Sequence, residues 1–202
     1  MSPGARDVDL SALVGSRICH DLISPLGAIG NGVELLAMSH RIDGPEMALI
    51  GESVEAASAR LRFFRIAFGH AGAEATLGRG EIHATLAAVS RGGKLAFTWE
   101  VEREVPRREA RVAFLILQCF ESAMPFGGAV TVARSDADDW ALTATGSDLR
   151  IDPGLWESLL GKPPPEPPSP ALVQFALLPQ VLADYGMELG LELAAERIRA
   201  TF

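Results

Sequence analysis

The stretch 45–70 places Met47, Ile50, Val54, Ala57, Leu61, Phe64 and Phe68 at alternating spacings of three and four, the seam of a heptad helix. The stretch before it, 7–39, has a matching stripe. On a helix turning about 100° per residue, Ile18, Leu22, Pro25, Ile29 and Leu36 lie within roughly 40° of the direction opposite His20. Val14, Leu26 and Val33 widen that stripe beyond what one partner helix can cover. HRIDGP (40–45) between them reads as a turn, with Pro45 at a first helical position. Two helices cannot enclose such stripes alone. The pattern predicts an antiparallel hairpin that pairs with a second copy as a dimeric four-helix bundle. Neighbouring helices would also hold the chain at Pro25, where a proline inside a helix costs about 3 kcal/mol.

From GHAGAEATLGRG (69–80) the character changes, as in a linker between a first unit, 1–72, and a second, 78–202. Residues 81–91 and 107–123 read as helices and 94–101 as a strand. GGAVTVAR and WALTATG read as two strands joined by the turn-like SDADD. A short segment at 153–160 precedes KPPPEPPSP (162–170), an extended proline-rich loop. Residues 171–185 return to helix, and MELGLELAAERIRATF closes the chain as a β-hairpin. The fold class is α+β, with helices on one face of a mainly antiparallel sheet. No repeat is visible.

Bulk properties exclude partners better than they name them. The 202 residues carry a net charge of -8, with a pI near 5.0, so no basic face for nucleic acid or anionic membrane is expected. No apolar run approaches the roughly 20 residues that span a bilayer. MSPGARDVDL lacks the basic and apolar regions of a signal peptide. Cys19 and Cys119 have no CxxC spacing, so neither a disulfide framework nor a zinc site is signalled. A cytoplasmic protein is expected.

ICHDLISPLGAI (18–29) carries the chemistry. A lone histidine is most often inconsequential, but His20 shares its face with Ser16, Arg17, Ser24, Gly27, Asn31 and Glu34, away from the apolar stripe. Neutral imidazole, with a pKa near 6.5, is a competent nucleophile, and on a bundle's flank it can accept a phosphoryl group in line. Asp21 can orient the ring or take its proton. Ser24, one turn on, can bond phosphoryl oxygens or a water. The glycines at 27, 30 and 32 leave the flank low for a docking partner, although Gly30 and Gly32 read first as mere helix tolerance.

His20-Asp21-Leu22-Ile23-Ser24-Pro25-Leu26 resembles the H-box of two-component histidine kinases, His-Glu/Asp-Leu-x-Thr/Ser/Asn-Pro-Leu. The hairpin is similar to their dimerisation and phosphotransfer domain. The second unit is similar to their ATPase-like α/β sandwich, but departs from it where nucleotide would bind. In LILQCFESAMPF (115–126), Gln118 and Ser122 stand at the two asparagine positions of the kinase box and Pro125 at its lysine. In TATGSDL, the adenine-reading aspartate is replaced by Ala144 or Thr145, and KPPPEPPSP stands where the glycine-rich lid would be.

An H-box kept and a nucleotide site lost resembles the ChpT-type histidine phosphotransferases, with SRICHDLISPLGAIGNGVELLA (16–37) carrying the likeness. That resemblance implies a phosphoryl carrier without ATP-dependent autokinase activity. It would relay phosphate through His20 between the receiver domains of a hybrid histidine kinase and of response regulators. It implies a homodimer, docking beside Arg17, Ile23, Gly27 and Asn31, and no cofactor or metal of its own, Mg²⁺ coming with the receiver. Two other readings compete. A pure interaction module would bind kinases or receivers without carrying phosphate, and an active histidine kinase would bind nucleotide. Of the remaining candidates, His40, His70 and His83 are too scattered for a metal site. Trp99, Trp140 and Trp156 read as core or rim anchors rather than a stacking platform, and the cluster at Arg103, Arg107, Arg108 and Arg111 as a solvated helix start.

Overall fold

The computed structural model describes residues 9–39, 45–70, 72, 74–135, 139–164 and 166–202. Its first element, helix α1 (Leu10–Ser39), includes Pro25 and the glycines at 15, 27, 30 and 32. Each such glycine costs about 1 kcal/mol relative to alanine, so the helix depends on what packs against it. Its first turn is capped by Asp9, whose Oδ1 accepts the Ala12 N–H at 3.1 Å. Helix α2 (Pro45–Ala67) packs along it. Gly32 faces Ile50 while Asp21 faces Arg60, so the two helices run antiparallel. Most of the expected turn, residues 40–44, lies outside the described residues.

The heptad seam of α2 splits between two faces. Ile50 and Ala57 are half-buried and Phe64 is buried, whereas Met47, Val54 and Leu61 remain 43%, 47% and 53% exposed. On α1, Leu26 and Val33 are likewise exposed, at 58% and 53%. Gly32 is not there by tolerance alone. A Cβ on it would lie 2.5 Å from Ile50 Cγ1, so hydrogen at this position lets the helices close.

The rest of the chain runs through strand β1 (Thr76–Leu77), α3 (Arg79–Gly92), β2 (Leu95–Trp99), β3 (Val105–Pro106), α4 (Arg107–Ala123), β4 (Gly128–Arg134) and β5 (Trp140–Thr145). Then come α5 (Pro153–Ser158), a 3₁₀ turn (Pro170–Leu172), α6 (Val173–Tyr185), and the hairpin β6 (Gly190–Ala194) and β7 (Arg197–Thr201). The main sheet has the order β2-β4-β5-β7-β6, parallel between β2 and β4 and antiparallel elsewhere. Register aligns one row of side chains across it, Phe97, Val130, Ala144, Ile198 and Leu193, and a second, Trp99, Val132, Leu142, Ala200 and Leu191. These are the alternate positions of each strand, and most are buried on the helix side. The stretch 69–80, expected as a linker, instead contains β1, paired with β3, and the start of α3. Two-residue strands carry no readable period. Among its described residues, 162–169 takes neither helix nor strand.

Helix α4 is the centre of the layer, with 12 of its 17 residues buried. Phe114 meets Trp99 of the sheet on one side and Phe63 of α2, 4.8 Å between ring centres, on the other. The C-terminal part of α2 (Phe63, Phe64, Ile66 and Ala67) therefore belongs to the same hydrophobic core as the sheet. A polar group is buried there with its partners. Glu109 Oε2 accepts the Trp140 indole N–H at 3.0 Å and pairs with Arg134 at 2.9 Å. No helix among the described residues is long and apolar enough to cross a membrane.

Gln118 is the exception to polar satisfaction on α4. It is 1% exposed, and neither its Oε1 nor its Nε2 has a hydrogen-bonding partner among the described residues. Stranding a buried amide costs about 1–3 kcal/mol, whereas an apolar side chain of similar shape avoids that cost. Gln118→Met should therefore raise the unfolding free energy by about 1 kcal/mol, read as a higher urea midpoint at unchanged slope. A lower midpoint would mean that the amide is satisfied after all.

Candidate functional site

His20 lies in the first half of α1 with its side chain 83% exposed. Its neighbour Asp21 is turned inward, 11% exposed, and the two meet at the edge, with His20 Nδ1 3.2 Å from Asp21 Oδ1. A neutral ring that donates from Nδ1 carries its lone pair on Nε2. The other carboxylate oxygen of Asp21 is held by cations. Arg17 Nε donates to Oδ2 at 3.1 Å from one turn earlier on the same helix, and Arg60 Nε approaches it at 3.5 Å from α2.

Both arginines are tied further into the fold. Arg17 Nη1 donates to the carbonyl of Ala171 in the 3₁₀ turn. Arg60 forks onto Glu121 of α4, Nη1 to Oε2 at 3.1 Å and Nη2 to Oε1 at 2.6 Å. Burial works to lower the Arg60 pKa, but the charge and hydrogen bonds of Glu121, with the charge of Asp21, outweigh it and hold the guanidinium above its ordinary value. The Arg60 guanidinium also lies 5.6 Å from the ring centre of Phe64.

The other sequence-predicted residues fall around this edge. Ser24, Gly27 and Asn31 are exposed on the flank of His20, and Ile23 is 67% exposed beside it. A Cβ on Gly27 would meet nothing within 4 Å, so the flank is open there. Arg17 differs from its neighbours, being 14% exposed with its guanidinium engaged behind the site. Cys19 is exposed and Cys119 buried, both as free thiols, and burial pushes the Cys119 thiol well above its usual range.

Arg60 and Glu121 were not read from the sequence, although one signal was available. Position 60 is three after Ala57 and four before Phe64, on the inner side of α2, and an arginine at an inward position needs an acid. The basic cluster is likewise more than a solvated start. Arg107 donates to the carbonyl of Arg65 at 3.0 Å and Arg111 to that of Ala67 at 3.3 Å, so both satisfy carbonyls at the end of α2. Arg111 also donates to the Tyr185 hydroxyl at 3.1 Å.

At the positions that the resemblance matched to the kinase nucleotide motifs, most side chains are apolar or engaged within the fold, the Gln118 amide being unpartnered. Ser122 Oγ donates to the Gln118 carbonyl at 3.1 Å and accepts from Gln174 Nε2 at 2.7 Å. The Pro125 carbonyl accepts from Lys94 Nζ at 2.8 Å, and Ala144 is fully buried in the sheet. Of the scattered histidines, His83 accepts from Arg79, His70 is exposed and His40 lies outside the described residues. No group of three His, Cys, Asp or Glu residues is placed to hold a metal ion among the described residues. Trp99, Trp140 and Trp156 are core residues.

Residues 79–197 match the model of the histidine phosphotransferase C-terminal domain. The chain is 39% identical over 196 residues to the protein phosphotransferase ChpT of Brucella abortus (strain 2308), covering 95% of this chain and 93% of that protein. The solved structure of a bacterial phosphotransferase superimposes with a TM-score of 0.79 at 37% identity, over 98% of both chains. A histidine kinase domain from Erythrobacter litoralis EL346 aligns over 96% of this chain and 90% of its own, at a TM-score of 0.45 and 11% identity, too distant to carry weight. The chain belongs to the ChpT family of histidine phosphotransferases.

Proposed function

We propose that His20 is the phosphoacceptor and that Nε2 is the atom attacked. The family gives the chain a phosphotransfer role in two-component signalling, with response regulators as partners. The observation that carries the residue assignment is the pairing of an outward, 83% exposed imidazole with an inward carboxylate at its Nδ1. Phosphate arrives as the aspartyl phosphate of a donor receiver domain. The Nε2 lone pair forms the P–N bond as the P–O bond breaks, and the donor carboxylate leaves with the electron pair. The ring becomes positively charged, and Nδ1–H faces the Asp21 carboxylate, which stabilises it. The same steps in reverse deliver the group to the next receiver. Little chemical activation is required, because positioning supplies most of the catalysis in such transfers.

In this reading the hairpin (1–72) carries the phosphoacceptor and the dimer contact, and the unit 78–202 gives the receiver a second surface. The receiver supplies Mg²⁺, and Ser24 stands where it can bond the transferred oxygens. ATP does not fit the site. Ser122 is bonded to the Gln118 carbonyl and to Gln174, Ala144 is apolar and buried, and the unpartnered Gln118 amide is sealed in the core at 1% exposure, where a hydrated cation does not reach it. A phosphate-free interaction module is not favoured by the family, and occlusion alone needs neither Asp21 nor Ser24. The dimer reading rests on the stripe Leu26, Val33, Met47, Val54 and Leu61, which a single hairpin leaves open.

Four outcomes test this reading. His20→Ala should take no radiolabel from a phosphorylated receiver domain while keeping the wild-type mass and receiver binding, and label on that variant would overturn the assignment. The wild-type protein should have twice the chain mass by light scattering at micromolar concentration. Leu61→Glu should fall to the single-chain mass, because a buried unpaired charge is costly. Leu61 is the informative position, since Ile50 packs inside the hairpin against Gly32. Titration with Mg²⁺-ATP to millimolar concentration should give no saturable heat, and a saturable isotherm would restore the kinase reading.

A further inference from the structure

We propose that Arg60, gripped by Glu121, is a positioning residue that selects the reactive tautomer of His20 through Asp21, an inference that rests on the phosphoacceptor reading above. The geometry divides the work of one guanidinium. Its two terminal nitrogens are committed to Glu121 of α4, at 3.1 and 2.6 Å, which leaves Nε turned toward Asp21 Oδ2 at 3.5 Å. Arg17 reaches the same oxygen at 3.1 Å. With Oδ2 held from two sides, Oδ1 is the oxygen left for His20 Nδ1. A carboxylate fixed in that sense favours the ring that donates from Nδ1 and keeps the lone pair at Nε2, the outward atom.

Arg17 cannot do this alone. It rides on the same helix as Asp21 and moves with the carboxylate, and its tie outside that helix is one bond from Nη1 to the Ala171 carbonyl, without the two-point grip that Glu121 gives Arg60. Arg60 comes from α2 and is held in place by α4, so it references the carboxylate to the body of the fold. The fork explains why the residue is arginine. A lysine has one ammonium and cannot grip both oxygens of Glu121 while presenting another donor to Asp21. Loss of Arg60 leaves Glu121 without this partner and lets the Asp21 carboxylate turn toward Arg17.

The test uses the full-length protein and potassium phosphoramidate, a small donor that needs no receiver docking. Its P–N bond breaks as the P–Nε2 bond forms, and ammonia leaves with the electron pair. Arg60→Gln and Glu121→Gln should each slow labelling of His20 about tenfold, with Arg60→Lys in between. The ¹⁵N signals of His20 should shift from a single Nδ1–H tautomer toward a mixture in the same variants, a change that loss of packing elsewhere would not produce. Thermal unfolding checks that each variant is folded. If Arg60→Gln fails to fold, Glu121→Gln decides by the same two readings, since it leaves Arg60 present but unanchored. A folded variant with the wild-type rate and the wild-type tautomer would overturn the proposal. If the tautomer shifts while wild-type His20 takes no label from any donor, the phosphoacceptor reading fails and the positioning claim stands.

Discussion

A helix buried on nearly every side must be surrounded before it is stable, and α4 is such a helix. The sheet covers one side of it, and α2 and α6 lie against it from elsewhere. The hairpin is thus not a separate rod carried by a flexible tether. Its second helix ends inside the core, with Phe63 against Phe114, and its last carbonyls are bonded by Arg107 and Arg111 from the first turns of α4. Whatever fixes α4 fixes the angle at which α1 presents its flank.

The site uses that dependence. The acid beside His20 is oriented by an arginine from α2, which is oriented by a glutamate from α4. A second tie runs from Arg17 to the 3₁₀ turn that opens α6. Neither tie requires strong exposed ion pairs, whose individual worth is at most about 1 kcal/mol. They act through direction, and in the Arg60–Glu121 fork the planar, pre-organised guanidinium loses less entropy per hydrogen bond than a lysine would.

Much of this was legible in the sequence, and what was not has identifiable causes. The stripes of α1 and α2 were readable because each spans several turns, and β4, β5 and β7 because alternate residues turn inward there. The outward placement of His20 followed from its angle to Ile18, Leu22 and Ile29. What a stripe cannot state is which half faces which neighbour, so the division of the α2 seam between Ile50, Ala57 and Phe64 on one side and Met47, Val54 and Leu61 on the other emerged only in three dimensions. The β1–β3 pair was too short to show a period. Arg60 and Glu121 are 61 positions apart, and no local pattern links them. Pro179, inside α6, also breaks the local rule for helices and is held by tertiary packing.

Gly27 and Gly32 are separated by little more than one turn of α1 and have opposite tolerances. A side chain at 27 enters open space, while one at 32 drives into Ile50. Mutational drift along this helix is therefore filtered by two different judges. At position 27 the fold is indifferent, and in the relay proposed here only a docking receiver would set the limit, so change there would be a route to new signalling specificity. At position 32 the partner is never consulted, because the hairpin must close before any surface exists to be recognised.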